Sequence, residues 1–204
     1  MIKKIPNLKF VIRNCNRGMS YIELIVVLSI FAVMSSIVIF NYGAFQAKVD
    51  IKNLASDMAL QIISAQKAAL SGLIPVQTPT VSPWKPAYGV YFYPNSDPKS
   101  FIYLVDLNQD GYFTGGQCTG DCLNVISITK GNSISRLDVF YQGDSIAHPL
   151  LNLTAIFTRP NSGPVFRSST TFTSAINYVQ ITVLSPKGAT ALIKLYPSGR
   201  VQIN

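Results

Sequence analysis

The chain has very little with which to do acid–base chemistry. Its 204 residues include one histidine, one glutamate and eight aspartates, and only 13 % of the residues are charged. That is about half the charged share of an ordinary soluble domain. A catalytic acid–base pair would have to be assembled from aspartates scattered among turns. His148 is followed at once by Pro149, so His148 with Asp144 reads as two turn residues. No glycine-rich phosphate cradle leading into Lys-Ser or Lys-Thr occurs. The three cysteines lack the second ligand pair that a zinc site needs. These absences exclude the common hydrolase, nucleotide-binding and zinc-dependent designs, and the chain is not expected to be an enzyme.

A second absence is local and more informative. From 24 to 47 there is no charged residue. As a helix rising 1.5 Å per residue, this run covers roughly the ~30 Å of a bilayer's hydrocarbon core. Ser29, Ser35 and Ser36 interrupt it, but hydroxyls in a helix can bond carbonyls of the preceding turn. Lys3, Lys4, Lys9, Arg13 and Arg17 precede the run and no acid does. The positive-inside rule then keeps the N-terminus cytoplasmic and puts everything after Lys48 on the outer face. A secretory signal would carry its apolar region before a small-residue cleavage site. Here Gly18 comes first and the apolar region follows. The lone glutamate, Glu23, stands at the mouth of the span, where an insertion cost of roughly 2.5–3.5 kcal/mol at mid-membrane is reduced by nearness to the end.

The basic character of the chain is concentrated before the span. Five of the 17 basic residues and none of the nine acids precede residue 19, so without that segment the net charge falls from +8 to +3. The basic isoelectric point is therefore weak evidence for nucleic-acid binding.

Beyond the span the helical pattern continues. Ile51, Leu54, Met58, Ile62, Ala65 and Ala69 recur at helical spacing and form one apolar stripe. Ser71-Gly72 predicts its end, with Pro75 beyond. Four prolines within 73–87 make an irregular loop around Trp84. Strands are predicted at 88–93, 101–106, 123–129, 136–141, 152–158, 176–184, 189–196 and 200–203, the last three as consecutive hairpins across Ser185-Pro186-Lys187-Gly188 and Pro197-Ser198-Gly199. Strands follow the helix and do not alternate with it. The expected fold is α+β, a long N-terminal transmembrane helix packed on a C-terminal antiparallel sheet.

Two local patterns carry chemistry. Asp106-Leu107-Asn108-Gln109-Asp110-Gly111-Tyr112 has oxygen donors at alternating positions and a glycine for the sharp turn, the spacing of a calcium loop. Gln117 stands where an EF-hand has its bidentate glutamate, and no helix pair flanks the loop, so an EF-hand domain is not expected. Two readings stay open: a calcium site of another kind on Asp106, Asn108 and Asp110, completed by Asp121 or backbone carbonyls, or an Asx-rich turn. Just beyond, Cys118 and Cys122 fall on the oxidising side of this topology and are expected to pair; free thiols are the alternative.

The stretch Arg17-Gly18-Met19-Ser20-Tyr21-Ile22-Glu23-Leu24 resembles the prepilin signal of type IV pilins and type II secretion pseudopilins. Within that superfamily, Tyr88-Gly89-Val90, the Asp106 segment, Phe157-Thr158-Arg159-Pro160-Asn161-Ser162-Gly163, Ile181-Thr182-Val183 and Ile193-Lys194-Leu195-Tyr196-Pro197-Ser198-Gly199-Arg200-Val201 look like the GspH/FimT group of minor pseudopilins and pilins. The resemblance implies a leader at 1–18 that a prepilin peptidase removes after Gly18, carrying Cys15 away with it. It implies methylation of the new α-amine of Met19 and an assembly segment at 19–47. An amphipathic half-helix follows at 48–72 and a β-rich extracytoplasmic domain at 73–204. Glu23 would meet the Met19 amine of a neighbouring subunit in a filament at the bacterial inner membrane. The resemblance implies a minor pseudopilin in type II secretion. Its alternative is a minor pilin of a type IV or competence pilus that binds DNA or adheres, with Arg200 among the phosphate contacts alongside Arg136, Arg159 and Arg167. DNA-binding members carry further basic residues after the Gly-Arg, whereas Val201-Gln202-Ile203-Asn204 follows here, so the secretion reading leads.

Overall fold

A computed structural model describes residues 20–115 and 118–204. The leader, Gly18, Met19 and Gln117 lie outside the described residues. The first element, α1 (Tyr21–Ser71), is a single 51-residue helix, about 75 Å long at the usual rise. The chain divides within it into two compact units, 1–42 and 43–204.

The described part of the first unit is one turn of cap and the apolar half of α1. Ser20 accepts Leu24 N–H on its carbonyl at 3.1 Å, closing the first helical turn. A window of mean hydropathy 2.6 follows, none of it buried, long and apolar enough to cross a membrane. Ile22, Val27, Phe31 and Val33 are 71, 53, 69 and 62 % exposed. Apolar side chains left in water on this scale mark a surface that needs an apolar environment. Ser29 spends its hydroxyl on the Val26 carbonyl at 2.8 Å, as a hydroxyl in such a segment must.

The second unit holds the rest of α1 and ten strands. The predicted stripe is the buried one: Ile51, Met58, Ile62, Ala65 and Ala69 are buried, with Ala55 in the row and Leu54 half-buried beside it. The helix stops where the sequence says. Gly72, at a φ of 74°, donates to Ala69 O at 3.2 Å, and Leu73 donates to Ala68 O at 3.1 Å. This is a Schellman cap, which needs the left-handed conformation that glycine adopts at least cost.

The strands are β1 (Ala87–Phe92), β2 (Ser100–Val105), β3 (Cys122–Ser127), β4 (Ser133–Tyr141), β5 (His148–Leu150), β6 (Leu153–Thr158), β7 (Pro164–Arg167), β8 (Ile176–Leu184), β9 (Thr190–Leu195) and β10 (Val201–Ile203). They form two five-stranded sheets, ordered β3-β2-β1-β6-β7 and β10-β9-β8-β4-β5, and every pairing is antiparallel. The sequence foresees one antiparallel sheet; the structure has two, each with a face on a core shared with the helix. The strands missing from the sequence reading, β5 and β7, are three and four residues long, contain Pro149 and Pro164, and lie at the edges of their sheets. Proline removes a ladder donor, so it is tolerated at an edge and hides the strand from pattern reading.

One core joins the helix stripe to both sheets. Tyr88, Val90, Phe92, Phe101, Val105, Ala155 and Phe157 come from the first sheet; Ile134, Leu137, Val139, Val179, Ile181, Val183, Ile193 and Leu195 come from the second. The first sheet is also covered on its far side, where Ala87, Ile102, Leu104, Cys122 and Ile156 pack with Tyr91, Phe113 and Val125. Gly89 sits in the middle of β1, where a Cβ would overlap the Ala155 carbonyl of β6. Ile62→Ala, emptying a fully buried site, is expected to cost about 2–5 kcal/mol. Gly89→Ala, which overfills a tight one, is expected to cost about 1–3 kcal/mol. Denaturant midpoints of the chain in non-ionic detergent test both, and unchanged midpoints would contradict this core.

Candidate functional site

Three places carry the sequence-predicted residues. The first is the start of α1. Glu23, in the first turn, accepts the Ser20 backbone N–H on Oε2 at 2.9 Å. Ser-x-x-Glu is a capping-box spacing, and here the glutamate half of the box is made. The carboxylate also lies at the positive end of the helix dipole, which favours its charge. Met19 and Gly18 lie outside the described residues, so the structure relates Glu23 to Ser20 alone.

The second place is the excursion between β2 and β3. It leaves β2 at Asp106, returns through Asp121, and is strapped by the proline-rich segment before β1. Trp84 Nε1 donates to the Asp106 carbonyl at 2.8 Å, Thr80 N–H to the Leu107 carbonyl at 3.1 Å, and Gln109 Nε2 to the Lys85 carbonyl at 2.8 Å. Within the loop Asp106 Oδ2 accepts Gly111 N–H at 3.0 Å, Asn108 Oδ1 accepts Asp110 N–H at 3.2 Å, and Asp110 Oδ1 accepts Tyr112 N–H at 2.7 Å. Gln109 and Gly111 take φ values of 59° and 82°. The Asx-turn reading is therefore present in the structure. Asn108 Nδ2 donates to Asp110 Oδ2 at 2.8 Å, so these two predicted ligands touch each other, while Asp106 is folded beneath them and 2 % exposed. Among the described residues no three His, Cys, Asp or Glu side chains stand close enough to hold a metal by themselves.

Asp121 has a different task from the one the sequence suggests. Its Oδ1 accepts Leu107 N–H at 3.2 Å and its Oδ2 accepts Thr114 N–H at 2.9 Å, while its own backbone pairs with Val105 and Thr114. It is a buried staple across the neck of the loop. Burial pushes its carboxyl above the ordinary range, against the pull of the two amide bonds. Asp106 is pushed up to about 6, first by burial and then by the charges of Asp110 and Asp121, with amide bonds from Gly111 and Gln109 opposing. Cys118 and Cys122 form the expected disulfide at the loop's return. Phe113, carried by the loop, stacks on Tyr91 at 4.9 Å between centroids, and Tyr91 on Tyr93 at 5.2 Å. No sequence signal marks this stack or the Asp121 staple, since both depend on which loop folds back over which sheet.

The third place is where the turns Asn161-Ser162-Gly163 and Pro197-Ser198-Gly199 meet. Gln66 of α1 donates through Nε2 to the Ser162 carbonyl at 2.7 Å and to the Gly199 carbonyl at 3.4 Å. A Cβ on Gly163 would overlap the Pro197 carbonyl, and one on Gly199 the Ser162 carbonyl. The β6–β7 turn of one sheet thus meets the β9–β10 turn of the other under one helix side chain. The glycines of these turns serve packing. The arginines considered for phosphate contact are each engaged locally. Arg136 Nε pairs with Asp138 at 2.7 Å, the Arg159 guanidinium lies against Gly72, Arg167 lies 5.6 Å above the Tyr112 ring, and Arg200 lies 4.0 Å above the Tyr196 ring.

Asp121→Ala is expected to leave the buried Leu107 amide unpaired, to release the Thr114 amide, and to cost about 1–3 kcal/mol. Hydrogen exchange should accelerate at Leu107 and Thr114 while the β8–β9 ladder keeps its protection. Equal exchange in variant and parent would remove the staple role.

Comparison with protein-family models, with curated proteins and with solved structures finds no match for this chain.

Proposed function

We propose that this chain is a pilin-like filament subunit, a minor pseudopilin of the type II secretion kind. It is made as a precursor, cut after Gly18 by a prepilin peptidase and methylated on Met19. One observation carries the reading. A helix that begins at Glu23's own capping box runs as a bare apolar segment of membrane length, and the same unbroken helix becomes the buried stripe of a β-rich domain. A signal anchor followed by a separate enzyme or receptor domain has no need of that continuity. A subunit that must pass from a bilayer into a helical bundle does, because its apolar half needs partners in both places.

Glu23 has its use in that passage. A carboxylate in an apolar bundle must be neutralised. The amine freed by cleavage, one helical turn away in sequence, is a cation of the right reach when supplied by a neighbouring subunit. The disulfide-closed loop and the rest of the β domain then face the extracytoplasmic side, where they contact cargo or other subunits. The reading takes no catalytic residue. Nothing about Arg200 favours a nucleic-acid ligand over this role, since its guanidinium lies on Tyr196 and the residues that follow it, Val201, Gln202, Ile203 and Asn204, are uncharged.

Mass spectrometry of the protein from cells with an active prepilin peptidase is expected to find a chain beginning at Met19 and carrying one added methyl group. An intact leader would overturn the proposal. Glu23→Ala is expected to be cleaved normally yet to be lost from sheared filaments on immunoblotting. Full incorporation of that variant would show that the carboxylate does not align subunits.

A further inference from the structure

We propose that the loop from Asp106 to Asp110 binds a calcium ion, with the Asp106 carboxylate as its inner ligand. The observation that points to a ligand is the state of Asp106. It is 2 % exposed, its Oδ2 is held by Gly111 N–H, and its Oδ1 is buried with no hydrogen-bond partner. A buried carboxylate oxygen left without a partner is costly, and buried charges are ordinarily paired or bound to metal. Among the described residues no cation forms a salt bridge with Asp106, Asp110 or Asp121. Lys85 and Arg167 line the same cavity as Asp106 and Asp110 but form no salt bridge with either.

Asp106 also lines a surface cavity of 280 Å³ with Gln109, Asp110 and Gly111, opposite Lys85 and Arg167. A hard cation takes oxygen donors from carboxylates, amide oxygens and backbone carbonyls, and needs no third carboxylate. Asp106 and Asp110 supply two such groups. Asn108 Oδ1 accepts the Asp110 N–H and its Nδ2 donates to Asp110, which leaves a second lone pair on Oδ1 for a cation. Asp121 is committed to two backbone amides and contributes field, not ligation. An irregular donor set of this kind suits calcium's flexible coordination better than magnesium's demand for a tight octahedron. With two charged ligands, and with Lys85 and Arg167 across the cavity, the affinity belongs to the weak class of extracellular sites, about 10⁻⁴–10⁻³ M.

The test uses the full chain in non-ionic detergent, stripped with chelator, and terbium chloride as the first probe. Trp84, the only tryptophan, donates to the Asp106 carbonyl and can sensitise terbium emission at the loop. Saturable emission is expected, displaced by millimolar calcium and not by equal magnesium. Asp110 is exposed, so Asp110→Asn should keep the fold and weaken terbium and calcium binding by at least about tenfold. Asp106→Asn should abolish binding, and where that variant does not fold Asp110→Asn decides alone. Absence of sensitised emission, displacement by magnesium as readily as by calcium, or unchanged affinity in Asp110→Asn would overturn the proposal. None of these outcomes depends on whether the chain assembles into filaments.

Discussion

The fold of the second unit depends on the buried stripe of α1 from Ile51 to Ala69. Both sheets close on it, and neither has another helix to cover its inner face among the described residues. Small residues make the contact close: Ala55, Ala65 and Ala69 have no exposure at all, alternating with the larger Met58 and Ile62. Large and small side chains facing one another are what let layers interdigitate at native density. The Gln66 amide then fixes the registration at one end, because its two hydrogen bonds reach a turn from each sheet. Lys130 adds a surface tie from the turn before β4 to Asp50 of the helix at 2.6 Å, worth little in energy at that exposure.

The two sheets differ in how plainly the sequence announces them, and the difference has a physical cause. In β8, Val179, Ile181 and Val183 are fully buried while Gln180 and Thr182 between them are half-buried, so strict alternation reads directly as one covered face. In β1, β2 and β6 nearly every position is buried, because Phe113 and the Asp106–Cys122 excursion cover the far side. Their runs are continuously apolar, which reveals a strand but not which face meets the helix. The helix, its stop at Gly72 and the three last hairpins were legible for the same reason as β8: each rests on a local rule of spacing or turn chemistry. The division into two sheets was not, since it depends on long-range pairing between β1 and β6 and between β4 and β8. The edge strands β5 and β7 were hidden by their prolines.

The candidate sites divide along the same line. The motif at Asp106, Asn108 and Asp110 is visible as spacing, and the structure supplies the backbone turn that spacing requires, with Gly111 at its bend. What spacing cannot reveal is the environment that decides the chemistry. Asp106 and Asp110 are the same residue type four apart, yet one is buried with an oxygen unpaired and the other stands in solvent with both oxygens bonded. Trp84 and Thr80 strap the buried end of the loop from a proline-rich segment with no pattern of its own. The glycines near the C-terminal end show the converse. In the sequence they read only as turn residues, and in the structure they allow two turns to touch.

Glu23 brings the two units into one argument. Its capping bond to Ser20 stabilises the first turn, and a carboxylate at the positive end of a helix adds about 0.3–1 kcal/mol. That offsets part of the penalty for an acid in an apolar helix, which is smaller near the end of a span than at its centre. A glutamate here is thus tolerable before any assembly occurs. Capping uses one acceptor position of a group that offers about four lone-pair sites, so the bond to Ser20 does not compete with an incoming amine. The proposed assembly contact and the helix start can therefore share one side chain. The acid would serve first to begin the helix and then, once the leader is gone, to receive a neighbour. An aspartate at the same position has one methylene less with which to reach back to Ser20 and outward to a second chain. An alanine loses the bond to Ser20 and would lose the proposed assembly contact with it.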